Sequence, residues 1–279
     1  MGHEPPSAAP ELSELACRLV EAARDQDLPL RAGAGVAIKL HCGRALQRYP
    51  VLNRPVHDVD LMGRSKNLKD VTKFMESQGF IKVPTSLNAA FSLREIYVNP
   101  RTRTEVDVFL DRLQMNHTIE LKDRLELDYP TLTVSDLLLS KLQIVKINLK
   151  DVTDLVMLLA DHPLGNTEKD EVNLPYIAKT LSNDWGFHYT VRNNLRVVGD
   201  QLTRLDGLDA STIEELTKKC ERIVDAAEAH PKSIGWRVRA KMGTSKRWYR
   251  EVEREGDGVT MPAGLKRQAA RPSQTSSES

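Results

Sequence analysis

The stretch Arg54-Pro55-Val56-His57-Asp58-Val59-Asp60-Leu61-Met62 decides the reading of this chain. Val59 to Met62 is a short strand candidate, and Asp58 and Asp60 project from neighbouring positions near its end. Upstream, an apolar stretch from Leu30 to Ala34 meets glycines, and Val36 to Leu46 resumes helical character. The order is strand, tight turn at Gly33-Ala34-Gly35, helix. Downstream, Lys69 to Gly79 reads as a helix closed by its glycine. Arg94 to Asn99 and Thr104 to Leu110 then read as two strands joined by the turn Asn99-Pro100-Arg101. In Glu105-Val106-Asp107-Val108-Phe109-Leu110 the alternation sets Glu105, Asp107 and Phe109 on one face and Val106, Val108 and Leu110 on the other. One face packs, and the other presents an acid.

The flanks are helical. Leu12, Leu15, Ala16, Leu19, Val20 and Ala23 give Glu11 to Gln26 an apolar stripe, and Val134 to Ile147 is an apolar helical run punctuated by Lys141. Lys150 to Leu159 is a second helix with Val152, Leu155, Val156 and Leu159 inward. Asn173 to His230 is almost entirely helix-like, without an internal repeat. The expected division is a tail at residues 1–10, an α/β domain at 11–165, a helical domain at 166–253 and a second tail at 254–279. Both tails lack the apolar periodicity that offsets ordering entropy and are expected to be disordered.

A hydrophobic content of 40% suffices for a buried core. Lys and Arg number 40 against 39 Asp and Glu, so any basic footprint must be local. Cys17, Cys42 and Cys220 are odd in number and widely spaced, against a disulfide framework or a cysteine zinc site and in favour of the cytoplasm. No membrane segment is expected, since no stretch approaches about 18 uninterrupted apolar residues. The acidic, proline-bearing start does not match a signal peptide.

Asp58 and Asp60 on one strand and Asp107 on another can converge if the strands share a sheet. Phosphoryl and nucleotidyl transfer call for that convergence, because hard cations must neutralise a triphosphate before an oxygen nucleophile approaches. Gly33-Ala34-Gly35 before a helix adds backbone N–H groups for phosphate, and Lys141 a positive charge. Each part has a plain alternative: solvated acids at a strand end, a simple tight turn, a lysine snorkelling to water, Glu105 as a solvated strand acid. Their order along the chain is the informative feature.

In that order, residues Arg31 to His162 resemble the nucleotidyltransferase superfamily, in particular the AbiEii-like enzymes that include toxins of type IV toxin–antitoxin systems. Ala34-Gly35-Val36-Ala37 is similar to the family's Gly-Gly-x-Ala turn, and Arg54 to Asp60 to its Arg-x-Ser/Thr-x-Asp-h-Asp strand, h being apolar. Val106-Asp107-Val108, Asp136 to Lys141, and Lys150-Asp151-Val152-Thr153-Asp154 resemble its later elements, the last being the most specific. Ala34, Val36 and Val56 depart from the pattern, removing phosphate hydrogen bonds of about 1.5–3 kcal/mol each. The segment from Gly35 to Asp58 is also longer than usual.

The resemblance implies an α/β fold with a mixed sheet, flanking helices and a helical C-terminal region. It implies a nucleotide site at Gly33, Ala34, Gly35, Arg54 and Lys141, and a two-ion Mg2+ site on Asp58, Asp60 and Asp107. Asp107 would also help to deprotonate the acceptor; Lys150 and Asp154 are candidate supports of the site, Asp154 orienting Lys141 or Lys150, with a helix-surface ion pair as its alternative. His57 is read as a bystander, and His41 and Cys42 as structural. The reaction is expected to move a nucleoside monophosphate from an NTP to a hydroxyl of RNA or protein, with an antitoxin as a candidate partner.

Lys232 to Arg250 holds seven cations and no acid, interleaved with Trp236, Trp248 and Tyr249. Arg237, Arg239, Lys241, Lys246 and Arg247 are therefore candidate RNA contacts, with the rings stacking on bases. The alternative is a solvated basic helix anchored by its tryptophans. Rival functions are a non-catalytic binding module of the same fold, favoured by the altered glycine turn, and a metal-dependent nuclease, for which no nuclease lysine spacing is present.

Overall fold

Alternation in Glu105–Leu110 builds the central strand of the protein. A computed structural model describes residues 12–84 and 93–252, so both expected tails lie outside the described residues. The strands β1 (Arg31–Ala32), β2 (Val59–Gly63), β3 (Ile81–Val83), β4 (Arg94–Val98) and β5 (Glu105–Leu110) form one sheet in the order β1-β2-β5-β4-β3. Only β2 and β5 run parallel, and the other pairs are antiparallel, so the sheet is mixed as expected. The β4–β5 hairpin pairs Val98 with Glu105, so its turn runs to Thr104, where Asn99 N–H donates to the Thr104 carbonyl. β3 has only three residues, too few for an alternation to register.

Helices cover the core face of the sheet. The N-terminal helix α1 (Leu12–Arg24) buries Ala16, Leu19, Val20 and Ala23. The single helix expected over Val36 to Leu46 is two, α2 (Ala34–His41) and α3 (Gly43–Arg48), broken where Cys42 leaves helical geometry at φ −100° and ψ 36°. α4 (Leu68–Ser77) ends at Gly79, whose φ of +82° is the left-handed stop that the sequence implied.

α5 (Val134–Leu142) stops short of the expected Ile147. Asn194 captures the carbonyls of Leu142 and Ile144, each at 2.8 Å, ending the helical ladder. α6 (Leu149–Asp161) starts at a reciprocal cap: Asn148 accepts from Asp151 N–H at 3.2 Å, and Asp151 accepts from Asn148 N–H at 3.4 Å. Val152, Leu155, Val156 and Leu159 are buried, and the helix packs against α2, α3 and α5.

Two hairpin-sized elements carry no strong sequence signal. They are β6 (Arg112–Gln114) with β7 (Thr118–Glu120), and the parallel pair β8 (Leu164–Gly165) with β9 (Val172–Asn173). The helical C-terminal region follows as α7 (Leu174–Leu181), α8 (Trp185–Leu202), α9 (Ala210–Ala229) and α10 (Ile234–Met242). Asn173, Asp184, Asp209 and Ser233 cap these four helices, each side chain accepting an N–H of the first turn. α6 also packs against α8 and α9, so the hydrophobic core runs from the sheet into this region without a break. No described helix is long and apolar enough to cross a membrane.

Leu61 follows Asp60 directly on β2 and is 0% exposed. Leu61→Ala is expected to destabilise the protein by about 2–5 kcal/mol, read as a lower midpoint in urea unfolding.

Candidate active site

Parallel pairing of β2 with β5 places Asp60 directly beside Asp107. Asp58 precedes β2 by one residue and, two positions from Asp60, shares its face. Asp58 and Asp60 are partly exposed, whereas Asp107 is buried. Burial first, and then the Asp58 and Asp107 charges, hold the Asp60 carboxyl well above the usual carboxylate range; Arg94 and Lys141 oppose that shift.

The glycine turn is fastened to this strand. Gly33 N–H donates to the Asp60 carbonyl at 2.8 Å, and a Cβ at Gly33 would lie 2.8 Å from Met62 Cε. A Cβ at Gly35 would lie 3.0 Å from Arg54 Nη2, so the guanidinium packs under the first turn of α2. Ala34, where the family pattern has glycine, has φ +44°. That left-handed conformation costs an alanine about 1–2 kcal/mol.

Under the turn lies an ion cluster built from distant segments. Asp154, 1% exposed in α6, accepts from Arg54 Nε at 2.7 Å and Nη2 at 2.5 Å, and from Lys141 Nζ at 2.9 Å. Lys141 also reaches Asp151 at 3.3 Å. Burial alone would pull the Lys141 ammonium down, but Asp154 and Asp151 outweigh it and hold the group up. Arg54 and Lys141, expected on the nucleotide, are thus already bound to carboxylates, because an acid as buried as Asp154 needs compensating cations. Of the two lysines considered for Asp154, Lys141 is the one it bonds. Lys150 instead stands exposed on the first turn of α6.

Sequence reasoning missed Arg94. The β4–β5 register sets Ile96 opposite Asp107, so Arg94 is diagonal to the acid on the same face. Its Nη2 donates to Asp107 Oδ2, and its guanidinium lies 5.5 Å from the centre of the Phe109 ring. The Arg94-to-Asn99 strand candidate carried this signal, but only the hairpin register connects Arg94 to Asp107.

The donor chemistry fits magnesium, which is ordinarily held by one or two carboxylates together with substrate phosphates. Asp58 and Asp60 supply such a pair. Asp60 and Asp107 stand in register with Asp58 on the same face, although among the described residues no three His, Cys, Asp or Glu side chains are already grouped as an ion's ligands. Asp107 is joined to Arg94 instead.

His57 is exposed beside the acids. His41 bonds Thr131 at 2.6 Å and Cys42 is buried, both structural as read. The basic C-terminal segment divides. Trp236 meets His188 edge-on at 5.4 Å, and Trp248 packs on Tyr189 at 5.1 Å while donating from Nε1 to Thr190 Oγ1 at 3.1 Å. These rings anchor the segment rather than waiting for bases. Arg239 lies over Trp185 and donates to the carbonyls of Gly243 and Lys246, so it is a clamp. Arg247 pairs with Glu251 at 2.9 Å, and Arg237, Lys241 and Lys246 are exposed.

No family model matches the chain, and no curated protein matches it. Among solved structures it is similar to ANT(2'')-Ia in complex with adenylyl-2''-tobramycin, at 12% identity and a TM-score of 0.36, over 52% of this chain and 86% of that one. A solution structure of the antibiotic-resistance factor ANT(2'')-Ia matches at 13% identity and a TM-score of 0.32, over 82% and 92%. An antigenic nucleotidyltransferase-like protein from Paracoccidioides brasiliensis matches at 14% and 0.36, over 82% and 97%.

Two substitutions probe the site without any substrate. Asp154→Ala leaves Arg54 and Lys141 facing each other largely buried, and is expected to destabilise the protein by about 3–5 kcal/mol in chemical denaturation. Ala34→Gly relieves the positive φ, and a thermal scan is expected to show no loss and a gain of up to about 1 kcal/mol, the greater freedom of glycine in the unfolded chain offsetting the rest.

Proposed function

We propose that this protein is a nucleotidyltransferase that moves a nucleoside monophosphate from an NTP to a hydroxyl group. The observation that carries this reading is the pairing of Asp60 beside Asp107 in register, with the glycine turn pinned to Asp60's own carbonyl. Acids, phosphate-facing backbone and a helix N-terminus then meet at one end of β2. Asp58 and Asp60 would hold Mg2+, which when bound supplies charge neutralisation for the triphosphate.

The chain's own groups do the rest. The first turn of α2 offers N–H donors to phosphate oxygens. Arg54 and Lys141, locked on Asp154, hold the floor of that turn and lend it positive charge. Asp107 lies beside Asp60 and would orient the acceptor hydroxyl by accepting its hydrogen bond. The acceptor oxygen forms its bond to the α-phosphorus as the bond to the bridging oxygen breaks, and pyrophosphate leaves with that electron pair.

RNA is the acceptor class that the exposed cations Arg237, Lys241 and Lys246 favour, by contact with phosphates. A protein hydroxyl is the other acceptor to be tested. An AbiEii-like toxin role, with an antitoxin as partner and a cytoplasmic setting, belongs to the same proposal and rests on the Lys150-to-Asp154 motif.

A binding module without catalysis is the second reading, favoured by Ala34 in its left-handed conformation, which withholds the glycine that the turn's geometry suits. The test is incubation with each α-labelled NTP, Mg2+ and total RNA, followed by autoradiography of RNA and protein. Label is expected with wild type and is expected to be lost at least about 100-fold in the Asp58→Ala, Asp60→Ala double variant. RNA binding without label in either would establish the module.

A further inference from the structure

The acid on β5 already has its cation. Arg94 reaches Asp107 from the neighbouring strand, and the hairpin register fixes it there: with Ile96 opposite Asp107, Arg94 stands diagonally across, on the face that also presents Asp60. The pair is withdrawn from water, with side-chain exposures of 25% for Arg94 and 5% for Asp107. Phe109 lies beneath the guanidinium. Among the described residues the Nε of Arg94 is buried without a hydrogen-bond partner, so one donor of the group is unspent.

We propose that Arg94 takes the place of a second metal ion: its guanidinium supplies the positive charge at Asp107, and its free Nε–H meets a phosphate oxygen of the bound triphosphate. This rests on the nucleotidyl-transfer reading. An arginine side chain is cationic at every working pH and has donors in a rigid fork, so it can bridge a carboxylate and a phosphate as a divalent ion does. Its charge also repels a second divalent ion from the same carboxylate. The site then works with one ion, on Asp58 and Asp60.

Equilibrium dialysis with Mn2+, read by electron paramagnetic resonance, counts ions per chain in the presence of the α,β-methylene analogues of ATP, GTP, CTP and UTP in turn. One Mn2+ per chain is expected for wild type and for Arg94→Lys, and two for Arg94→Met, which removes the guanidinium charge from beside Asp107. Two ions in wild type would overturn the proposal while leaving nucleotidyl transfer intact, and this needs no variant to fold. A count of one in a folded Arg94→Met, or two in Arg94→Lys, would also overturn it. No Mn2+ in wild type with any analogue would remove the nucleotidyl-transfer reading itself, and the proposal with it.

Discussion

Two carboxylates in register on adjacent strands repel one another, and the fold has to hold them there. The charge of Asp107 beside it disfavours ionisation of Asp60. Asp58 adds to it from the same face. The features around the acids read as answers to that stress. Arg94 sits on Asp107, Lys141 lends charge from α5, and the β2–β5 pairing is flanked on both sides by antiparallel strands that keep it from sliding. The core face of the same strands, with Val59, Leu61, Val106 and Val108 at 0% exposure, provides the apolar burial against which the charged face is set.

Local patterns in the sequence carried much of this. Alternation identified β5 and its acid-bearing face, periodicity identified the helix over Lys150 to Leu159, and Gly79 marked a helix stop, because each depends on residues within a few positions of one another. Long-range partners were illegible for the opposite reason. The Arg54–Asp154 pair joins residues 100 positions apart, and nothing near either one names the other. Arg94 and Asp107 are closer in sequence, yet their contact follows from a hairpin register that turn composition alone leaves open by a residue or two. The early end of α5 was set by Asn194, a tertiary partner that overrides helical propensity.

The basic C-terminal segment shows how composition leaves facing open when packing is unknown. Cations interleaved with aromatics can describe a nucleic-acid surface or an anchored helix, and the two assign opposite tasks to the same tryptophans. In the fold the rings face inward on α8, while the charges split between a clamp, an ion pair and three exposed side chains. Strand periodicity dictates facing directly, whereas an isolated run of mixed residues does not.

The way that segment ends has a consequence of its own. Past α10 the chain returns to the β6–β7 turn, where Arg250 N–H donates to the Asn116 carbonyl at 2.9 Å and Asn116 Nδ2 donates to the Arg250 carbonyl at 2.8 Å. With Ser233 capping one end and this reciprocal pair closing the other, the backbone bearing Arg237, Lys241 and Lys246 is tethered at both ends. A ligand meeting those cations has only side-chain rotamers to immobilise, about 0.5–1.5 kcal/mol each, and not a loop to order. Because β6 follows β5 after the single residue Asp111, the strand bearing Asp107 and the tethered basic segment are joined through one short hairpin. Loosening the tether would therefore be felt on the sheet as well as at the surface.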